Sequence, residues 1–175
     1  MRRIALLFVI ALTACATGPT YEAAGNSLFI AANYNAADGL ANALKANKQD
    51  GPIIVATLAN VDNLEQSSRL GRTLSEQVGS RLVQAGFQVI EVKLRNNVFV
   101  SNAHQGEFLL SREVRAISEN HKVNTVVVGT YSDANEYLYV TVKAVALDSG
   151  TITASQDYAL PMLPAIRAML PSPRY

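Results

Sequence analysis

Along the chain, apolar residues recur at helical and then at extended spacing, and the switch repeats. From Ser27 onward, Leu28, Ala31, Ala32, Leu40, Ala43 and Leu44 supply apolar positions for a helix over residues 27 to about 48, which Ser27 caps and Gly39 weakens in the middle. Gly51-Pro52 interrupts it. Residues 53–58 follow as a continuous apolar run, the pattern of a strand covered on both faces. The clearest helical period lies over residues 69 to about 85, where Leu70, Leu74, Val78 and Leu82 recur every four residues beside a row of small residues, Gly71, Ser75 and Gly79. Gly86 fits the stop of that helix.

Residues 87–94 read as a strand, with Val89 and Glu91 on one side and Ile90 and Val92 on the other. An irregular stretch containing Asn96 and Asn97 comes next, and Ser111-Arg112-Glu113 then opens a short helix to about His121, with its acid in the first turn, where the helix dipole favours it. The last third predicts three strands. Residues 125–131 form a buried one; residues 137–147 set Tyr137, Tyr139, Thr141 and Lys143 against Leu138, Val140, Val142 and Ala144; residues 151–158 set Thr and Ser against Ile152 and Ala154. Asp148-Ser149-Gly150 is hairpin-turn chemistry between the last two. The tail is cut by Pro161, Pro164, Pro171 and Pro173 and leaves room for one helical turn around residues 165–169. This order of elements implies an α/β domain, a helix-on-sheet sandwich with a mixed sheet.

The first residues have a different logic. Arg2 and Arg3 precede an apolar run from Ile4 to Leu12 and then small residues, the layout of an export signal. The run is about half of the roughly 20 residues that cross a bilayer. Leu12-Thr13-Ala14-Cys15 resembles a bacterial lipobox, which implies acylation of Cys15, cleavage after Ala14 and acylation of the new amino terminus with palmitate-type chains. The alternatives are an ordinary signal peptide that ends near a cysteine, or a free buried thiol. Each buried methylene contributes about 0.8 kcal/mol, so several chains hold a protein stably on its membrane. Residue 16 is Ala and not the aspartate that retains many such lipoproteins in the inner membrane, which favours the outer membrane with the domain in the periplasm. The expected organisation is thus a signal peptide over residues 1–14, a lipidated cysteine and tether over 15–26, the α/β domain over 27–161 and a proline-rich tail over 162–175.

Cleavage removes two of the 15 basic residues and none of the 14 acidic ones, leaving 13 against 14 and a charge of −1. A near-neutral surface argues against nucleic acid as a partner. Cys15 is the single cysteine, so no internal disulfide forms and the fold rests on its core. No glycine-rich phosphate loop, metal-ligand spacing or nucleophile elbow occurs, and His104 and His121 fall in a loop and near a helix end. Neither catalysis nor a metal or other cofactor is expected. Two surfaces are candidates for partners: the Gly71, Ser75, Gly79 row, for which docking on the chain's own sheet is the stronger reading because it adjoins the leucine stripe, and the outward Tyr137 and Tyr139, with Tyr131 or Tyr158 as further members, for which the alternative is cross-strand pairing on a solvated face.

The segments SSRLGRTLSEQVGSRLVQAGFQVIEVKL, GEFLLSREV and VVVGTY resemble the FlgO family of outer-membrane lipoproteins. The resemblance rests on Leu70-Gly71-Arg72, Ile90-Glu91, Gly106-Glu107-Phe108, Leu110-Ser111-Arg112 and Gly129-Thr130-Tyr131, in that order, and spans residues 53 to about 161. It implies a small α/β domain like those of the TolB N-terminal region and of LpoB. It also implies a non-enzymatic accessory role in flagellar assembly, with a ring around the basal body, through self-association or contact with flagellar ring proteins. The alternative is an envelope lipoprotein serving another machine, as a cell-wall synthase activator or secretion component.

Overall fold

Two serines open the two long helices. In the computed structural model, which describes residues 27–49, 51–64, 67–90, 99–101, 108–110 and 121–171, helix α1 spans Leu28–Ala46 and α2 spans Arg69–Gln84. Ser27 accepts a hydrogen bond from the Ile30 amide, and Ser68 accepts one from the Gly71 amide at 2.9 Å. Each satisfies a donor that the first helical turn leaves without a backbone partner. At the other end of α2 the backbone turns through Gly86 with φ of 96°, the left-handed conformation that favours glycine.

The strands, in chain order, are β1 (Ile53–Val55), β2 (Ala59–Asn60), β3 (Val89–Ile90), β4 (Phe99–Ser101), β5 (Phe108–Leu110), β6 (Thr125–Ala134), β7 (Tyr137–Ala146) and β8 (Ile152–Pro161). A one-turn helix α3 (Pro164–Arg167) follows. The main sheet has the order β3-β1-β6-β7-β8, with β2 also beside β6. β1 pairs in parallel with β3 and β6, and the β6–β7 and β7–β8 pairs are antiparallel, so the sheet is mixed. β4 and β5 form a separate two-stranded antiparallel ribbon.

Helices α1 and α2 cover one face. Leu40, Leu44, Leu74, Val78 and Leu82 pack there with Ile53, Val127, Val140, Val142 and Ala144 of the sheet. The other face carries a smaller cluster of Ile54, Val123 and Val126, fringed by Ile90, Val128, Val145 and Leu147. Hence β1 and the start of β6 are buried on both sides, as their unbroken apolar runs require, whereas β7 alternates buried and more exposed positions along its length.

Several elements depart from the sequence expectation. The run over residues 53–58 is not one strand: pairing with β6 steps from Val55 opposite Val127 to Ala59 opposite Thr130, so the chain makes four steps against three and leaves the ladder at residues 56–58. Leu58 spends the irregularity on burial, with none of its surface exposed. β8 runs on to Pro161, and a register shift at Ala144/Val145 places Ile152 opposite Val145 and Ala154 opposite Ala144. Thr153 is the extra residue, its hydroxyl bonded to the Ala144 carbonyl. The shift turns Ile152 outward, half exposed, instead of leaving it on the Ala154 side. Strand residues expected over 91–94 and the helix expected over 111–120 lie outside the described residues.

Candidate functional site

The residues of two sequence motifs meet at the start of α2. The Tyr131 hydroxyl, from β6, donates to Ser68 Oγ at 2.6 Å, and the same oxygen accepts the Gly71 amide. Tyr131 is buried, and burial raises its phenol above the ordinary range against the lowering effect of the Ser68 bond. Gly71 lies under the Leu58 carbonyl, and Gly129 is squeezed between the Thr141 carbonyl and the Leu58 side chain, so a Cβ on either would collide with backbone. The glycines are thus required by close approach: α2 sits on the chain where β1 gives way to β2.

The tail closes the same corner. The Leu70 amide donates to the Met169 carbonyl, and Arg69 Nη2 donates to the Ala168 carbonyl at 2.7 Å. From α3, Ile166 enters the core, while Arg167 Nη2 donates to the carbonyl of Asn135 in the β6–β7 turn. The tail therefore ties the β6–β7 hairpin to the first turn of α2. Beside it, Ser67, Arg69, Arg72, Met169 and Leu170 line an open cleft of about 210 Å³. No periodicity announced this role, because the anchors are single residues among prolines.

A polar bridge joins α1, α2 and β8. Asn33, fully buried on α1, accepts from the Tyr158 hydroxyl and donates to Gln77 Oε1. Burial pushes the Tyr158 phenol above the usual tyrosine range. One turn further on, Arg81 makes a two-pronged ion pair with Asp38 at 2.8 and 2.9 Å, and its guanidinium lies over the Tyr34 ring. The hydrogen bond to Asp38 raises the Arg81 pKa above its ordinary value.

The candidate partner surfaces separate clearly. Gly71, Ser75 and Gly79 are buried in α2 against the chain's own sheet, where Gly79 faces Val55 and Val89. The Ser75 hydroxyl is turned back onto the Gly71 and Arg72 carbonyls. Tyr137 and Tyr139 are about half exposed, at 47% and 52%, on the face away from the helices, with ring centroids 6.4 Å apart. Tyr131 and Tyr158 do not join them. Both are paired with Val140, so the pleat sends their side chains to the helix face. Around the tyrosines the outward positions are small: Ala134 and Pro161 flank Tyr137, and Ser132 and Ala159 flank Tyr139.

Cys15 and His104 lie outside the described residues, and His121 is exposed. Among the described residues no three His, Cys, Asp or Glu are grouped to hold a metal, and no helix is long and apolar enough to cross a membrane.

The FlgO protein family matches residues 34–165, a span that contains the Ser68–Tyr131 corner, both helix-to-sheet contacts and the tyrosine face. The chain belongs to the FlgO family. No curated protein sequence matches it. Among solved structures it resembles the C-terminal domain of LpoB from Escherichia coli, with a TM-score of 0.49 at 12% identity over 73% of this chain and 97% of that one. The LpoB C-terminal domain from Salmonella enterica gives 0.45 at 13% over the same shares. Lipoprotein GNA1162 from Neisseria meningitidis gives 0.43 at 12%, over 66% of this chain and 83% of that one. In this FlgO-family chain the Leu70-Gly71-Arg72 and Gly129-Thr130-Tyr131 motifs thus hold one corner of the fold together.

Proposed function

We propose that this FlgO-family protein is a non-enzymatic lipoprotein, held at the outer membrane through acyl chains on Cys15 with its domain in the periplasm, and that it serves flagellar assembly at the basal body. The family match over residues 34–165 carries the reading. The lipobox-like Leu12-Thr13-Ala14-Cys15 supports the anchor. The non-enzymatic part is supported by where the motif residues go: Gly71, Gly129 and Tyr131 are engaged in packing and capping. The exposed tyrosine face is the surface offered to partners, which are copies of the chain or flagellar ring proteins.

Deletion of the gene, followed by swimming assays and imaging of basal bodies, tests the flagellar role. Reduced motility with an altered ring is expected; normal swimming with an unchanged ring would sink it. Cys15→Ser tests the anchor independently: loss of palmitate labelling and release from the membrane fraction are expected.

A further inference from the structure

The register of β7 against β8 contains a self-complementary face. Reading outward positions level by level, Tyr137 stands beside Pro161, Tyr139 beside Ala159, Thr141 beside Asp157 and Lys143 beside Ser155. Large or donor groups are all on β7. Their complements are all on β8: a proline and an alanine for the two rings, a carboxylate for the hydroxyl, and that same carboxylate one level away for the ammonium. All four of these β8 residues are exposed.

A two-fold axis in the plane of the interface, parallel to the strands and midway between β7 and β8, would lay β7 of one copy over β8 of another. Each pair would then form twice, as an isologous contact requires. Tyr137 would rest on the other copy's Pro161 and Tyr139 on its Ala159, with Lys143 in reach of the other copy's Asp157. We propose that this face docks a second copy of the same chain in this arrangement.

The way the chain enters the domain selects this axis. Helix α1 runs antiparallel to β8, since Asn33 meets Tyr158, Gly39 lies on Gln156 and the Asn47 side chain donates to the Thr153 carbonyl. Residue 27 therefore emerges at the Tyr137 and Pro161 end of the sheet. An axis along the strands keeps this end on the same side in both copies, so both tethers reach one membrane. An axis across the strands would point the tethers in opposite directions. Because β8 is the edge strand, the two copies overlap over two strands by four levels, a patch of roughly 260 Å², about a third of what a standard interface buries on each partner. Such a contact is weak in free solution and gains from the high effective concentration of anchored copies.

The proposal rests on the tyrosine face being the contact surface and holds whichever machine the lipoprotein serves. Its test is photo-crosslinking in intact cells from the full-length chain carrying Tyr139→p-benzoylphenylalanine. A product of twice the chain mass is expected, with its junction mapped by mass spectrometry to residues 155–161 of the second copy. Monomer alone, attachment to another protein alone, or a junction elsewhere would overturn it. Charge exchange is the second arm: Lys143→Glu and Asp157→Lys should each lower the yield several-fold and the double variant restore it; unchanged singles or an unrestored double also overturn it. Normal swimming of a deletion strain would remove the flagellar reading and leave the cross-link in place.

Discussion

Gly71 lies so close beneath the carbonyl of Leu58 that a methyl group on its Cα would stand 1.9 Å from that oxygen. The obstacle is backbone, which cannot rotate away. Eight residues on, Gly79 belongs to the same row of small residues, yet a Cβ there would meet Val55 at 3.8 Å, an ordinary contact.

The two glycines should therefore answer the same substitution with opposite signs. Gly71→Ala is expected to destabilise the domain by about 1–3 kcal/mol or more, as overpacking does. Gly79→Ala should be neutral or stabilising by up to about 1 kcal/mol through helix propensity. Urea denaturation of both variants checks the contrast; equal losses would contradict it.

Ser68 serves two groups at once, so its loss should be felt through Tyr131. Ser68→Ala removes a helix cap worth about 1 kcal/mol and leaves a buried phenol without that partner. Tyr131→Phe removes the other half. A double-mutant cycle should show that the two losses do not add, with a coupling of about 0.5–1.5 kcal/mol.

Burial holds the Tyr158 phenol above its ordinary value of 10.0, whereas the unfolded chain gives up that proton near the ordinary value. The resulting stabilisation is complete below about pH 10 and is lost as pH rises from there toward the folded-state value. Tyr158→Phe should flatten this alkaline loss. At neutral pH the same variant should be less stable by about 1–3 kcal/mol, because Asn33 Oδ1 is left buried without its donor. Denaturation at pH 7 and above pH 10 separates the two effects.

The tail can be loosened by one residue. Ile166→Ala should cost about 2–5 kcal/mol, the range for emptying a core position, since Ile166 is 1% exposed. It should also speed hydrogen exchange at the Leu70 amide, which the tail carbonyl of Met169 holds. A variant with unchanged exchange there would show that the tail does not cap α2.

Periodicity made both long helices legible, down to the Ser27 cap and the Gly86 stop, because a single amphipathic face sets their boundaries. The mixed sheet followed from the order of elements. What periodicity does not carry is register. Nothing local in residues 151–158 shows that Thr153 is an extra residue that turns Ile152 outward, and nothing near Tyr131 shows that it faces Ser68 sixty-three positions earlier. The Gly71, Ser75, Gly79 row was visible as a close-packing surface, but its occupant, the sheet beneath it, became visible only once Leu58 was placed in space. For the free face the sequence pointed to Tyr137 and Tyr139 through their alternation with Leu138 and Val140, while their small neighbours on β6 and β8 came from pairing alone.

The antiparallel run of α1 along β8 also gives the domain two unlike poles. Near Ser27 are gathered the Asn135 turn, the two exposed tyrosines and the tail as far as Pro171. At the opposite pole are the turns through Lys48, Gly86, Lys122 and Gly150, all with positive φ. Under the anchor proposed at Cys15, the first pole would look back toward the lipid and the second away from it. A label or fluorescent module inserted at the Gly150 turn would then ride on the side of the domain that the proposed anchor turns away from the membrane.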